Sequence, residues 1–212
     1  VVYNCGILGT TAALKPLKDE DIAEGEVWNA LSLTGLLRDQ EAIVSLVQEE
    51  QLTEVPIKEA DYFIIAYGLN DYFSAVPRET EEKYDLYSYA GALRNAIEFL
   101  QNENKEATIL LLSQTYSQGY SYGKVDTESD WKDWGGGTGP DYVYTAEKVA
   151  NEYGCIFVNN YEDLGINLHN GLKYLSDAVH LTPYGREKYA ENLAKYLLQD
   201  YEEQNRNEFL ND

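Results

Sequence analysis

The stretch Asp61-Tyr62-Phe63-Ile64-Ile65-Ala66-Tyr67-Gly68-Leu69-Asn70-Asp71 decides how this chain is organised. Tyr62 to Tyr67 is a continuous apolar run with a charge before it and a glycine after it. Such a run predicts a strand buried on both faces, as in a parallel sheet that helices cover from either side. Gly68 ends the strand, so Asn70 falls at the carboxyl edge of the sheet, the edge on which open α/β folds hold their ligands.

Residues 107–113 and 155–159 repeat the pattern and predict two further buried strands. Between the first two strands, Tyr89, Leu93, Ile97 and Leu100 fall on one helical stripe, and another helix around residues 144–153 leads into the third strand. Upstream, Leu36, Leu37, Ile43, Val44, Leu46 and Val47 recur at helical spacing and predict a helix lying on one face of the sheet. Val1 to Cys5 reads as a strand entering the small-residue turn Gly6-Ile7-Leu8-Gly9-Thr10-Thr11, which can bring backbone N–H groups close to a ligand. At the other end, Thr182 as N-cap and Pro183 at the first helical position open a last helix with Tyr189, Leu193 and Leu197 inward. The polar tail over residues 200–212 is expected to fray. Strands alternating with helices predict a doubly wound α/β parallel sheet with right-handed crossovers. The 212 residues suffice for a single domain, which at this size removes roughly 70% of its unfolded surface from water.

The 37 acidic and 16 basic side chains leave a net charge of −21, a surface that repels polyanions. Nucleic acid and anionic membrane are therefore excluded as expected partners. No stretch approaches the ~18 to 20 apolar residues of a membrane span, and the first residues lack the layout of a signal peptide. Cys5 and Cys155 sit in apolar segments and are expected to be buried free thiols, and metal-ligand spacing is absent. The absence of methionine and a first residue already within a strand pattern suggest a processed, truncated or incompletely recorded chain.

Three places carry chemistry. Asn70 could donate a hydrogen bond to a carbonyl oxygen gaining negative charge, or it could simply start a loop as an Asx turn. Asp177 lies three residues before His180, close enough to accept the imidazole Nδ1 proton and leave Nε2 free as a base. His169, within Asn167-Leu168-His169-Asn170-Gly171, has no such partner and reads as a loop residue. Residues 116–139, rich in Tyr, Gly, Ser and Trp without helical or strand period, are expected to be a long loop walling a substrate site, or else a solvated surface loop.

Together, Asn4-x-Gly6-x-x-Gly9-x-Thr11, Gly68-x-Asn70-Asp71 and Asp177-x-x-His180 resemble the second, third and fifth blocks of the SGNH/GDSL hydrolases, in the family's order and over nearly the whole chain. The resemblance implies a three-layer flavodoxin-like fold and serine esterase or lipase chemistry with no metal or cofactor. It implies that His180 is the general base, that Asp177 orients it, and that Gly9 (backbone) and Asn70 (side chain) form the oxyanion hole. Leu8 stands where the family often has serine, giving that hole a more apolar wall. Asp71, Tyr116 and Trp134 are expected to contact a small-molecule or carbohydrate ester. Tyr116, Tyr120, Tyr122, Trp131 and Trp134 could stack on sugar rings of an O-acetylated carbohydrate, or could be ordinary packing.

The family's Gly-Asp-Ser block, on a central first strand, has no counterpart here. A strand and serine outside these residues, including a separate N-terminal segment, is the expected source of the nucleophile. Ser113 or Ser117 as a substitute, or a non-catalytic carbohydrate-binding relative, are the alternatives. The family's strand order, 2-1-3-4-5, also puts Cys5 and Cys155 at opposite edges of the sheet, too far apart for a disulfide.

Overall fold

The computed structural model describes residues 1–16, 25, 26, 29, 32–38, 57–121 and 124–211. Its central feature is a parallel sheet of β1 (Tyr62–Ala66), β2 (Thr108–Leu112) and β5 (Ile156–Val158), with β2 in the middle. Tyr62 pairs with Thr108 at one end of β1 and Ala66 with Leu112 at the other, while Leu110 to Leu112 pair with Ile156 to Val158. All three strands of the parallel sheet fall where the apolar runs predict them.

Side-chain alternation along β2 builds the layers. Ile109 and Leu111 face α3 (Tyr89–Glu103) and α4 (Gly139–Tyr153), packing with Leu93, Ile97, Leu100 and Val149. Leu110 and Leu112 face the other way, where Tyr189, Leu193 and Leu197 of α7 (Pro183–Asn211) cover them. The fold is therefore a three-layer α/β sandwich, as its sequence pattern predicts. The helix starts follow local chemistry. Ser88 caps α3 by accepting the Gly91 N–H at 3.2 Å, and Thr138 and Asp141 cap each other's end of α4, with the Thr138 N–H on Asp141 at 2.8 Å. Thr182 caps α7 by accepting the Gly185 N–H at 3.2 Å. An ion cluster ties α3 to α4: Arg94, 2% exposed, reaches Glu79 at 2.7 Å and Glu152 at 2.8 Å.

Five expectations need correction. Val1 to Cys5 forms no strand, and Val1, Val2 and Cys5 are exposed, because no neighbouring strand takes up its backbone groups among the described residues. Ile64 is 46% exposed, so β1 is not buried on both faces; α7 packs over β2 and β5 and meets β1 at Tyr62, whose hydroxyl donates to Asp200 at 2.9 Å. Residues 116–139 contain an antiparallel hairpin, β3 (Gln118–Ser121) with β4 (Lys124–Glu128), bulged between Gly119 and Tyr120. The tail is helical through Asn211 rather than frayed. The upstream helix is described only as α1 (Leu33–Arg38); Ile43, Val44, Leu46, Val47 and Tyr122 lie outside the described residues. Both cysteines are free thiols, but the expected burial does not hold: Cys5 is exposed and Cys155 half-buried. Among the described residues no helix is long and apolar enough to cross a membrane.

Candidate active site

The turn after Val1-Val2-Tyr3 is held by its own side chains. Asn4 Oδ1 accepts the Gly6 N–H at 3.1 Å, and the Thr10 hydroxyl donates to the Ile7 carbonyl at 2.7 Å. Gly9 sits at φ +79°, a left-handed conformation that costs glycine nothing, and is exposed beside Leu8. Its N–H makes no hydrogen bond among the described residues.

Gly68 turns the end of β1 into α2 (Leu69–Phe73) at φ +128°. A Cβ at Gly68 would lie 2.6 Å from the Tyr89 hydroxyl, which itself donates to the Tyr67 carbonyl at 3.0 Å. This tight turn presents Asn70, whose Nδ2 donates to the Thr10 carbonyl at 3.0 Å. One amide hydrogen is thus spent on orientation, and the other remains for a ligand. The bond also joins two of the three sequence blocks in space.

Asp71, expected to contact substrate, is instead 0% exposed. Its two oxygens accept the N–H groups of Ala12 at 2.9 Å and Ala13 at 3.1 Å. Burial pushes its carboxyl up from 3.8 to about 6, against the lowering effect of those N–H groups. Keeping this carboxylate ionised at neutral pH therefore costs the fold about 3 kcal/mol.

Asp177 and His180 meet as their spacing predicts. The His180 Nδ1 lies 2.7 Å from Asp177 Oδ2, while Asp177 Oδ1 accepts the backbone N–H groups of His180 at 2.7 Å and Val179 at 3.2 Å. The loop can wrap around the carboxylate because Ala178 adopts φ +77°, a strained conformation costing on the order of 1 to 3 kcal/mol. The His180 backbone N–H, then its imidazole, hold the Asp177 carboxyl below its ordinary range. The pair is open to solvent, with side-chain exposures of 57% for Asp177 and 62% for His180. His169 is exposed, and its backbone N–H bonds to Asn167 Oδ1 at 2.9 Å.

A groove of about 380 Å3 runs between these elements. Tyr72 and Phe73 of α2 form one wall, Asp177, Ala178 and Val179 another, and Ser117, Glu128, Lys132 and Trp134 contribute from the hairpin and the loop after it. The loop of Asp177 is docked on the start of β3, since the Gln118 N–H donates to the Ala178 carbonyl at 2.9 Å. Trp134, 44% exposed, lies 6.3 Å from Phe73 between ring centroids, with the Lys132 ammonium 4.3 Å from its own centroid. Tyr116 is different: at 2% exposed it belongs to the core, packed edge-on against Tyr161, and its hydroxyl donates to Glu128 at 2.7 Å. The expectation that it contacts substrate is corrected accordingly. Ser117 and Lys132 fall within residues 116–139, expected from the sequence to wall the site; Phe73 was not legible there, although it lies one helical turn beyond Asn70.

Of the residues the sequence singles out, Asp177 and Trp134 line this groove, whereas Gly9, Asn70 and His180 are not among its lining residues. The sequence model of the GDSL-like lipase/acylhydrolase family matches residues 24–188, which include Gly68-Leu69-Asn70-Asp71 and Asp177 to His180. The chain belongs to that family, whose members are ester hydrolases. No curated protein matches the sequence. Among solved structures, one crystal structure aligns at TM-score 0.65 and 20% identity over 90% of this chain and 76% of its own. A Lactobacillus plantarum protein aligns at TM-score 0.59 and 22% identity, covering 71% of this chain and 72% of that one. A possible lipase from Chitinophaga pinensis aligns at TM-score 0.56 and 15% identity over 79% of each chain. At these identities the likeness concerns the fold.

Proposed function

We propose that the protein is a serine carboxylic-ester hydrolase working through an acyl-enzyme. His180 Nε2 takes the proton of the serine hydroxyl as it attacks the ester carbonyl, returns it to the leaving alcohol, and then activates the water that releases the acid. Asp177 holds the Nδ1 proton throughout, and the Gly9 N–H with the free amide hydrogen of Asn70 stabilises the tetrahedral oxyanion. The observation that carries this reading is the 2.7 Å contact between His180 and Asp177 beside a groove whose opposite wall continues the helix of Asn70.

The serine is assigned to a strand paired with the outer edge of β1, which has no strand partner among the described residues. Ser113 is a poor candidate, because its buried hydroxyl donates to the Gln114 carbonyl at 3.1 Å and accepts the Tyr161 N–H at 3.0 Å. Ser117 lines the groove and is the competing assignment. A fluorophosphonate, which labels activated serines, followed by peptide mass mapping of the gene product as the cell makes it, decides between them. Label on a serine outside residues 1–212 is expected. Label on Ser117 would relocate the nucleophile, and absence of both label and p-nitrophenyl acetate turnover would leave a binding-only relative.

Two variants probe the groove. Asn70→Ala is expected to lower kcat by about 10² to 10³-fold, the usual effect of losing one oxyanion donor, with little change in KM. Trp134 supplies an aromatic surface for the alcohol portion, for which we favour an O-acetylated sugar. Trp134→Ala is then expected to raise KM for an acetylated oligosaccharide roughly two- to tenfold while leaving p-nitrophenyl acetate unaffected. An equal change with both substrates would point to a structural role for the ring.

A further inference from the structure

We propose that Asp71 is a positioning residue of the oxyanion hole, its carboxylate holding the turn at residues 10–13 so that the Gly9 N–H and the Asn70 amide meet the same substrate oxygen. This rests on the ester-hydrolase reading above. The turn is gripped from both sides. Its carbonyls are taken by α1, with the Leu33 N–H on Thr11 at 3.0 Å and the Thr34 hydroxyl on Ala12 at 2.9 Å. Its N–H groups at Ala12 and Ala13 are taken by Asp71. Because Asp71 directly follows Asn70, one short helix carries both the amide donor and the anchor of the backbone donor, and the two donors keep a fixed separation. An oxyanion hole needs that precision, since a misplacement of about 1 Å costs about 10²-fold in rate.

The anchor also confers a pH dependence. Ionised, Asp71 makes two charge-assisted bonds; protonated, it gives up part of its acceptor capacity and both bonds weaken. The groups that bear on it are Tyr67 at the end of β1, Tyr89 on α3, Tyr142 on α4 and Lys15 beyond the turn, and of these only Lys15 favours the charge. Burial outweighs Lys15 and the two N–H groups, raising the carboxyl to about 6. A raised carboxyl pKa favours the protonated fold, so the stabilising contribution of this group is complete below about pH 4 and is lost as pH rises through about 6. Activity needs the opposite form, the ionised one.

The test compares wild type with Asp71→Asn, whose amide can accept one of the two N–H groups but turns its own donor towards the other. For p-nitrophenyl acetate at about pH 8, kcat is expected to fall about ten- to a hundredfold with KM changed less than about threefold. The acid limb of kcat/KM is expected to depend on two deprotonations in wild type and on one in the variant. The variant's Tm at about pH 8 should equal or exceed that of wild type, because a buried charge has gone. Backbone amide exchange at Ala12 and Ala13 should accelerate while α3 stays protected. A kcat within about twofold of wild type with an unchanged acid limb overturns the proposal. If the wild type hydrolyses no ester, the functional reading fails first and amide exchange judges the anchor by itself: unchanged protection at Ala12 and Ala13 overturns it.

Discussion

Replacing His180 with alanine is expected to lower kcat for p-nitrophenyl acetate by about four to six orders of magnitude, with KM little changed. The reason is the singular position of this imidazole. Its Nδ1 lies 2.7 Å from Asp177, a contact that favours the tautomer protonated at Nδ1, and the proposed mechanism uses the Nε2 left free as the proton acceptor. Asp177→Asn keeps the shape of the loop but can stabilise the wrong tautomer, and should cost about 10² to 10⁴-fold. The effect of Asp177 is predominantly orientational. With both side chains more than half exposed, solvent screens much of the charge interaction, and three hydrogen bonds to one carboxylate set the geometry. His169→Ala is the control, since that side chain stands in an exposed loop, and should leave kcat unaffected. Equal loss in the His180 and His169 variants would refute the assignment of the base.

Gly68→Ala is expected to damage stability and activity together. At φ +128° any side chain is strained by about 1 to 3 kcal/mol, and the new Cβ would press on the Tyr89 hydroxyl at 2.6 Å. Tyr89 is fully buried against Tyr142, so it has little room to retreat. We expect a loss of about 3 kcal/mol or more, a fall in Tm of about 6 to 12 °C. Moving this turn also moves Asn70 relative to Thr10, so kcat should drop in the fraction that remains folded. Calorimetry and kinetics on the same preparation separate the two. A variant with wild-type Tm and wild-type kcat would mean that the turn tolerates a different backbone path.

How much of this could be read from the residues depends on the range of the interactions involved. The strands at residues 61–67 and 107–113 were legible because their apolar runs have no other way to leave water, and the cap at Thr182 because capping is decided within one turn; the start of α4 at Thr138 was not read. The pairing of Asp177 with His180 was legible for the same reason, being settled across three residues. The hairpin was missed because Gly119, Ser121 and the tyrosines around them carry no alternation. What makes it a ribbon is pairing across the turn, and Gly119 admits it because a Cβ there would lie 2.3 Å from the Thr127 hydroxyl.

The site divides in the same way. The sequence by itself singled out the candidates for the chemistry: an imidazole with a carboxylate in local reach, an amide at a strand end, and a glycine turn. Only the tertiary structure decided that Asp71 faces inward onto Ala12, 59 residues away, that Tyr116 fills the core, and that Trp134 and Phe73 share a groove with Asp177. The physical reason is burial. Whether a polar or aromatic side chain meets solvent, substrate or its own backbone depends on which distant segments pack over it, and no local pattern records that choice.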